Sequence, residues 1–272
     1  QSATDEPGAD ASRRHERELE QIVVTAIPNA EPGAELLRPA AVLSGAELEQ
    51  RRTNTIGGTV AREAGVQSGT FGPAVGRPII RGLEGARVQV LQSGVSSLDV
   101  STVSADHAVT IEPFLADQIE ILKGPSTLLF GSGAIGGVVN MVDGRIAEAP
   151  VEGFGGRAEL HGNTVNNERA GMVRLDAGNG AAAMHVDYVR RDGDDFDLPD
   201  GSLLNSAIDQ KSGAAGAGYA SDAGFLGVSF SRYDSLYGIP LGPSNAEPEA
   251  GEEAEEIRLD QEQTRVDVRG GI

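Results

Sequence analysis

The second half of this sequence alternates between polar and apolar residues, and that pattern restricts it to antiparallel β-structure. From about residue 152 onward we predict about six strands of roughly ten residues each. The apolar face of one strand carries Val173 and Leu175, with Arg174 and Asp176 on the other face. A soluble sandwich would bury the apolar face, whereas a membrane barrel would turn it toward lipid and line a wet lumen with the charges. The alternation alone leaves both arrangements open. The predicted strands are centred on residues 157–161, 173–177, 184–188, 213–220, 226–230 and 264–269.

The connections between these strands alternate between short and long. Tight turns are predicted at residues 166–167, 179–180 and 222–224, where Asn, Gly and Asp are concentrated. Longer loops are predicted over about residues 192–211 and 235–257. The second of these loops carries an acidic run, residues 247–256. We interpret this run as a solvated charge cluster or as a device that concentrates cations by electrostatic focusing.

Composition excludes several classes of function. Acidic residues outnumber basic ones 41 to 22, giving a net charge of -19, so nucleic acid is not an expected partner. Cysteine is absent, which removes disulfides, thiolate metal sites and cysteine nucleophiles. We find no arrangement of a nucleophile beside a base, and we therefore expect that the protein is not an enzyme.

The first 39 residues are predicted to be a disordered N-terminal segment, because polar and charged residues dominate it. The chain begins at Gln1 rather than at Met, so we expect a processed product or a fragment. One β-branched patch interrupts this segment. The patch either docks as a strand on its own domain or adds itself to the sheet edge of another protein. It consists of Ile22, Val23, Val24, Thr25 and Ala26.

Residues 40–150 are predicted to form a small α+β domain with a few-stranded sheet. Ser44 and Glu47 have the spacing of a capping box at the start of a helix over residues 46–52, and a second short helix is predicted over 59–64. A brief helix is expected over 126–130 after Pro125. Strands are predicted at residues 78–82, 87–91, 119–122 and 138–142.

The glycine pattern at residues 131–136 matches GxGxxG, which also occurs in dinucleotide-binding sites. Such a site needs a helix after the glycines, so that the pyrophosphate meets the helix N-terminus. Here the following residues, Val138 to Val142, are typical of a strand. We therefore interpret the glycines as a turn within the small sheet.

Residues 119–142 resemble the C-terminal part of the plug of TonB-dependent outer-membrane receptors, and residues 77–94 resemble an earlier plug signature. The resemblance implies an α+β plug domain, residues 40–150, lodged in an antiparallel transmembrane β-barrel. Such barrels have 22 strands, whereas about six are expected in residues 151–272, so we expect an incomplete barrel from a truncated sequence. It also implies a Gram-negative outer-membrane location in contact with lipid, and energised import. Residues 22–26 then occupy the position of the TonB box, with TonB and its inner-membrane energising complex as partner.

A closer resemblance, to the zinc-uptake receptors of this family, lies in residues 104–113, 236–240 and 257–265. It implies that Asp106 and His107 are metal ligands at the external face of the plug, with zinc as transported ligand and no resident cofactor. His161 and His185 are expected to face the lumen. An iron siderophore, haem or cobalamin is the alternative ligand within the same fold. A soluble β-rich surface or adhesion protein is the alternative from a different class.

Overall fold

The computed structural model describes residues 40–98, 100–199, 201–240 and 256–272. The patch at residues 22–26 and most of the acidic run at 247–256 lie outside these ranges. Among the described residues, no helix is long and apolar enough to cross a membrane.

The first part of the described chain is an α+β unit built on one small sheet. Its strands are β1 Ala40–Ser44, β2 Val66–Thr70, β3 Gly76–Ile80, β4 Val88–Gln92, β5 Val95–Ser96, β6 Gln118–Leu122 and β7 Gly137–Val142. Five of them form a sheet in the order β1-β6-β7-β4-β5, in which β4 and β7 are parallel, and β2 pairs with β3 in a separate hairpin. Apolar side chains of this sheet form the core, including Leu43, Ile119, Ile121 and Val139, each at most 1% exposed.

Two short helices follow β1, and both differ in detail from the sequence prediction. Helix α1 spans Gly45–Arg51, but the Ser44 side chain makes no capping hydrogen bond, so the predicted capping box is wrong. Helix α2 spans Ile56–Val60, earlier than predicted, because the Thr55 side chain accepts a hydrogen bond from the Gly58 backbone and fixes the first turn there. The predicted helix after Pro125 is confirmed as a 3-10 helix, Pro125–Phe130.

Six longer strands follow and form an open antiparallel sheet in the order β15-β14-β13-β10-β9-β8. They are β8 Val151–Asn163, β9 Glu168–Gly180, β10 Ala182–Gly193, β13 Ile208–Ser221, β14 Gly224–Gly238 and β15 Arg258–Gly271. A small hairpin, β11 Phe196–Leu198 and β12 Gly201–Leu203, lies between β10 and β13. The predicted number of strands is confirmed.

The strands are longer than predicted, and the two long loops are correspondingly shorter. Strand β10 continues to Gly193 and β14 to Gly238. The sequence pattern did not predict these strand ends because the outward face is charged there. Arg190 pairs with Asp209, and Arg232 pairs with Asp234. With polar residues on both faces, the alternation that marks a strand disappears.

The two faces of the long sheet decide between a sandwich and a barrel. Its outward face is apolar: Leu160 is 94% exposed, Met184 66% and Val268 70%, and Val173 and Leu175 also lie on this face. The inward face carries charged and polar side chains that contact the small domain. Gln263 on β15 donates to the Ser97 carbonyl at 2.8 Å, and Arg174 on β9 lies 2.6 Å from Asp117. Apolar residues face outward and charges face inward, so the soluble-sandwich alternative is wrong. The strands are those of an incomplete barrel around a plug.

The glycines at residues 131–136 form a tight turn, as predicted, and its centre is a single turn of 3-10 helix, Ser132–Ala134. The strand β7 begins directly after them, at Gly137, so the helix that a dinucleotide site requires is replaced by a strand. The Gly136 backbone N–H donates to the Arg87 carbonyl at 2.7 Å and joins this turn to the start of β4.

We expect Gly136→Ala to destabilise the plug by about 1–3 kcal/mol. A Cβ atom at this position would lie 2.8 Å from both the Arg87 carbonyl oxygen and the Leu83 Cβ atom. Gly155→Ala on β8 is the control, because a Cβ atom there has no heavy atom within 4 Å. Thermal unfolding of the two variants measures the difference, and equal melting temperatures would contradict the close packing of this turn.

Candidate functional site

The predicted metal ligands lie side by side on an irregular loop of the plug. The Nδ1 atom of His107 is 2.9 Å from the Oδ1 atom of Asp106, and the Ser104 hydroxyl also donates to this carboxylate. The hydrogen bond from Ser104 and then that from His107 hold the pKa of Asp106 below its ordinary value. Asp106 is therefore an anion at neutral pH, as a metal ligand must be.

This loop is fixed to the barrel wall by one tyrosine. The Tyr237 hydroxyl on β14 donates to the Asp106 carbonyl at 3.2 Å and accepts from the Ala108 backbone N–H at 2.8 Å. The Tyr237 ring is 1% exposed and packs with Val75, Ala108, Ile208 and Ile239. Sequence reasoning placed Tyr237 in a family-like segment but missed this contact. The barrel strand therefore sets the position of the loop.

The two predicted ligands, Asp106 and His107, are fewer than the three or four protein ligands that zinc sites use. Within the residues that the structure describes, no group of three or more His, Cys, Asp or Glu side chains is arranged to hold a metal ion. His161 on β8 is exposed and its ring makes an edge contact with Phe114, with the ring centres 5.9 Å apart. It lies on the inward face of its strand, as expected.

An open, solvent-facing cavity of about 670 Å³ lies between the plug loops and the ends of the barrel strands. Its polar lining includes Arg52, Asn54 and His161, and its apolar lining includes Phe196 and Pro240. Arg52 is held in place by Glu159 on β8, whose two carboxylate oxygens lie 2.9 and 2.8 Å from its Nη2 atom. The volume is that of a small-molecule pocket.

A buried charge cluster ties the plug to strands β9 and β10 near this cavity. Arg191 on β10 is fully buried, and its guanidinium lies 3.4 Å from Glu112 of the plug and 3.6 Å from Glu168 of β9. The guanidinium also stacks over the Phe114 ring at 5.2 Å, and Gln210 donates to Glu112 at 2.5 Å. Sequence reasoning missed this cluster. Its only signal was the position of Arg191 on the inward face of a predicted strand.

Comparison with known proteins agrees with this architecture. Residues 33–138 match the family model of the TonB-dependent Receptor Plug Domain. Among solved structures, the chain is similar to the copper transporter OprC, with 19% identity and a TM-score of 0.62, over 74% of this chain and 32% of that one. It is also similar to the Serratia marcescens hemophore receptor HasR in complex with HasA and heme, with 18% identity and a TM-score of 0.61, over 74% and 32% of the two chains.

A third similar structure is the ferric yersiniabactin uptake receptor FyuA from Yersinia pestis. It shares 20% identity with a TM-score of 0.58, over 76% of this chain and 33% of that chain. The chain thus spans about a third of the length of the solved structures that it matches. At these identities the likeness establishes the fold, a plug followed by barrel strands.

Proposed function

We infer that this chain, whose residues 33–138 match the plug domain of TonB-dependent receptors, works as part of an outer-membrane importer in a Gram-negative bacterium. The observation that carries this inference is the orientation of the long sheet. Its exposed face is apolar and suits lipid, and its charged face holds the plug by hydrogen bonds and ion pairs. An importer of this kind binds and releases its ligand without covalent chemistry, so this is not an enzyme.

The energy for import comes, in this proposal, from TonB and its inner-membrane complex. The patch at residues 22–26 is rich in β-branched residues, which favour a strand that adds to the sheet edge of a partner. TonB would pair with this patch and pull on the plug through the residues that precede β1. The described plug is held in the barrel by many polar contacts, so pulling would rearrange it against a fixed wall.

We propose zinc as the ligand, with Asp106 and His107 as its first protein ligands. Zinc accepts carboxylate oxygen and imidazole nitrogen, and the two groups are adjacent, partly exposed and fixed by Tyr237. Further ligands would come from other parts of the receptor. The acidic run at residues 247–256 would concentrate cations near this face.

We expect His107→Ala to weaken zinc binding to the full-length receptor by at least about tenfold, the loss seen even when a second-shell partner of a metal ligand is removed. The measurement is titration calorimetry with zinc on the receptor in detergent micelles. His161→Ala is the matched control, because His161 contacts Phe114 rather than a carboxylate. Equal zinc affinities of the wild type and His107→Ala would remove zinc as the proposed ligand.

The cavity beside β8 favours a metal chelate as the second candidate ligand. Its volume of about 670 Å³ exceeds the need of a bare ion, and its polar lining includes Asn163, whose side-chain amide can donate a hydrogen bond to an oxygen-rich chelator. An iron siderophore, haem or cobalamin is a ligand of this kind. The same titration with ferric siderophores distinguishes the two candidates, because a chelate held in this cavity would bind equally well to His107→Ala.

A further inference from the structure

Five charged side chains of alternating sign connect the barrel wall to the segment that leads out of the plug, residues 143–150, here named the exit segment. On β9, Arg174 lies 2.8 Å from Asp176. The chain of contacts continues to His185 on β10, whose Nδ1 atom is 2.7 Å from Asp176 and whose Nε2 atom is 2.8 Å from Asp187. It ends at Arg145 of the exit segment, whose Nε atom is 2.9 Å from Asp187.

His185 is the central member of this series of five side chains and has a carboxylate at each ring nitrogen. Both nitrogens can donate only in the protonated imidazolium form, so the geometry requires a cation at this position. The side chains of His185 and Asp187 are only 4% and 1% exposed. Loss of the central cation would leave each carboxylate with one arginine, Arg174 for Asp176 and Arg145 for Asp187. The buried Asp187 would also lose a charge-assisted hydrogen bond at a site that water hardly reaches, which is unfavourable.

The exit segment is held flat against the wall by the same contacts. The Arg145 side chain is also 3.4 Å from Asp143, and it is 7% exposed. Burial lowers the pKa of Arg145, but Asp143 and Asp187 outweigh it, so the net shift of this pKa is upward and the side chain stays charged. Beyond it, Ile146 lies so close to Gly227 on β14 that a Cβ atom there would collide with the Ile146 side chain.

We propose that His185, held between Asp176 and Asp187, is a positioning residue that keeps the exit segment fixed to the barrel wall. The part of the plug that rearranges during import would then lie upstream of residue 143. The anchoring follows from the contacts of the described residues, whereas its role during import depends on the proposed function.

The anchoring is tested by the accessibility of a thiol at position 146. Ile146 is 4% exposed, and this chain contains no cysteine, so Ile146→Cys adds a single buried thiol to it. The full-length receptor in isolated outer membranes is treated with a water-soluble maleimide. We expect His185→Gln to raise the labelling rate at least tenfold, and His185→Lys, which keeps a cation, to restore slow labelling. His161→Gln is the control on the same face of the barrel and should leave the rate unchanged.

Labelling of His185→Gln at the rate of the parent protein would overturn the anchoring, as would failure of His185→Lys to restore slow labelling. Heat-dependent mobility in gels reports whether each variant has assembled its barrel. If His185→Gln does not assemble, Asp176→Asn interrupts the same series of contacts at a more exposed residue. A labelling rate of Asp176→Asn at least tenfold above that of the parent protein then supports the anchoring, and an unchanged rate overturns it.

The role during import has a separate test. Ala147 lies against Gly218 on β13, with its backbone atoms 3.5–3.6 Å from the position of a Cβ atom at Gly218. A disulfide between Ala147→Cys and Gly218→Cys would therefore lock the exit segment to the wall. We expect zinc uptake by the oxidised variant to equal that by its reduced form. Loss of uptake only on oxidation would contradict the proposal that the exit segment stays fixed to the barrel wall during import. Absence of uptake in both the reduced form and the wild type would count against the import function instead, while leaving the labelling result intact.

Discussion

Replacement of Arg191 by Met is expected to destabilise the plug within its barrel by about 3–5 kcal/mol, the usual effect of breaking a buried ion pair from one side. The guanidinium of Arg191 is fully buried between Glu112 and Glu168, and both carboxylates are 2% exposed. Methionine fills much of the same space but leaves both acids without their cation. The loss should also remove one of the two guanidinium groups that stack on the Phe114 ring, the other being that of Arg52.

The matched control is Arg190→Met, one residue earlier on β10 and on the outward face. The Arg190 side chain is 41% exposed and pairs with Asp209, and exposed pairs of this kind contribute about 0–1 kcal/mol. Protease sensitivity of the plug at increasing urea concentration gives the free energy of its release in each variant. The Arg191→Met, Glu112→Gln double mutant should lose less than the sum of the two single changes. Similar urea midpoints for Arg190→Met and Arg191→Met would contradict the buried cluster.

The sequence predicted the strands of this fold better than it predicted the strand ends and the contacts between the plug and the barrel wall. Alternation located all six barrel strands because lipid and lumen impose different chemistry on the two faces. It failed at the ends of β10 and β13 that adjoin the long connection between them, because Arg190 and Asp209 place charges on the outward face there. The ion pairs between plug and wall were also missed. Arg191 and Glu112 are 79 residues apart, and only the completed fold brings them together.

At the candidate metal site, too, the local feature was predictable from the sequence and the long-range contact was not. Asp106 and His107 are neighbours in sequence, so their proximity follows without knowledge of the fold. The tyrosine that positions their loop lies 131 residues from Asp106. Asp187 follows His185 by two residues on β10 and therefore shares its strand face, whereas Asp176 comes opposite His185 only through the pairing of β9 with β10, which local spacing does not reveal.

Val24→Pro is expected to lower TonB-dependent uptake by about tenfold while leaving ligand binding intact. Val24 lies at the centre of the patch 22–26, which we propose to pair as an added strand with TonB. Proline removes one backbone donor from that ladder and also restricts the residue before it. The loss of one or two hydrogen bonds, each worth about 1 kcal/mol, would weaken TonB binding about tenfold or more.

Ala30→Pro is the control, since it places the same residue outside the patch but in the same N-terminal segment. Co-precipitation of each full-length variant with the C-terminal domain of TonB reports the contact, and cellular zinc uptake reports its consequence. Calorimetry with zinc should give the same affinity for both variants, because Asp106 and His107 belong to the plug loop rather than to this segment. Equal co-precipitation of Val24→Pro and Ala30→Pro would show that residues 22–26 do not pair with TonB, and the β-branched patch would then be assigned to docking on its own domain.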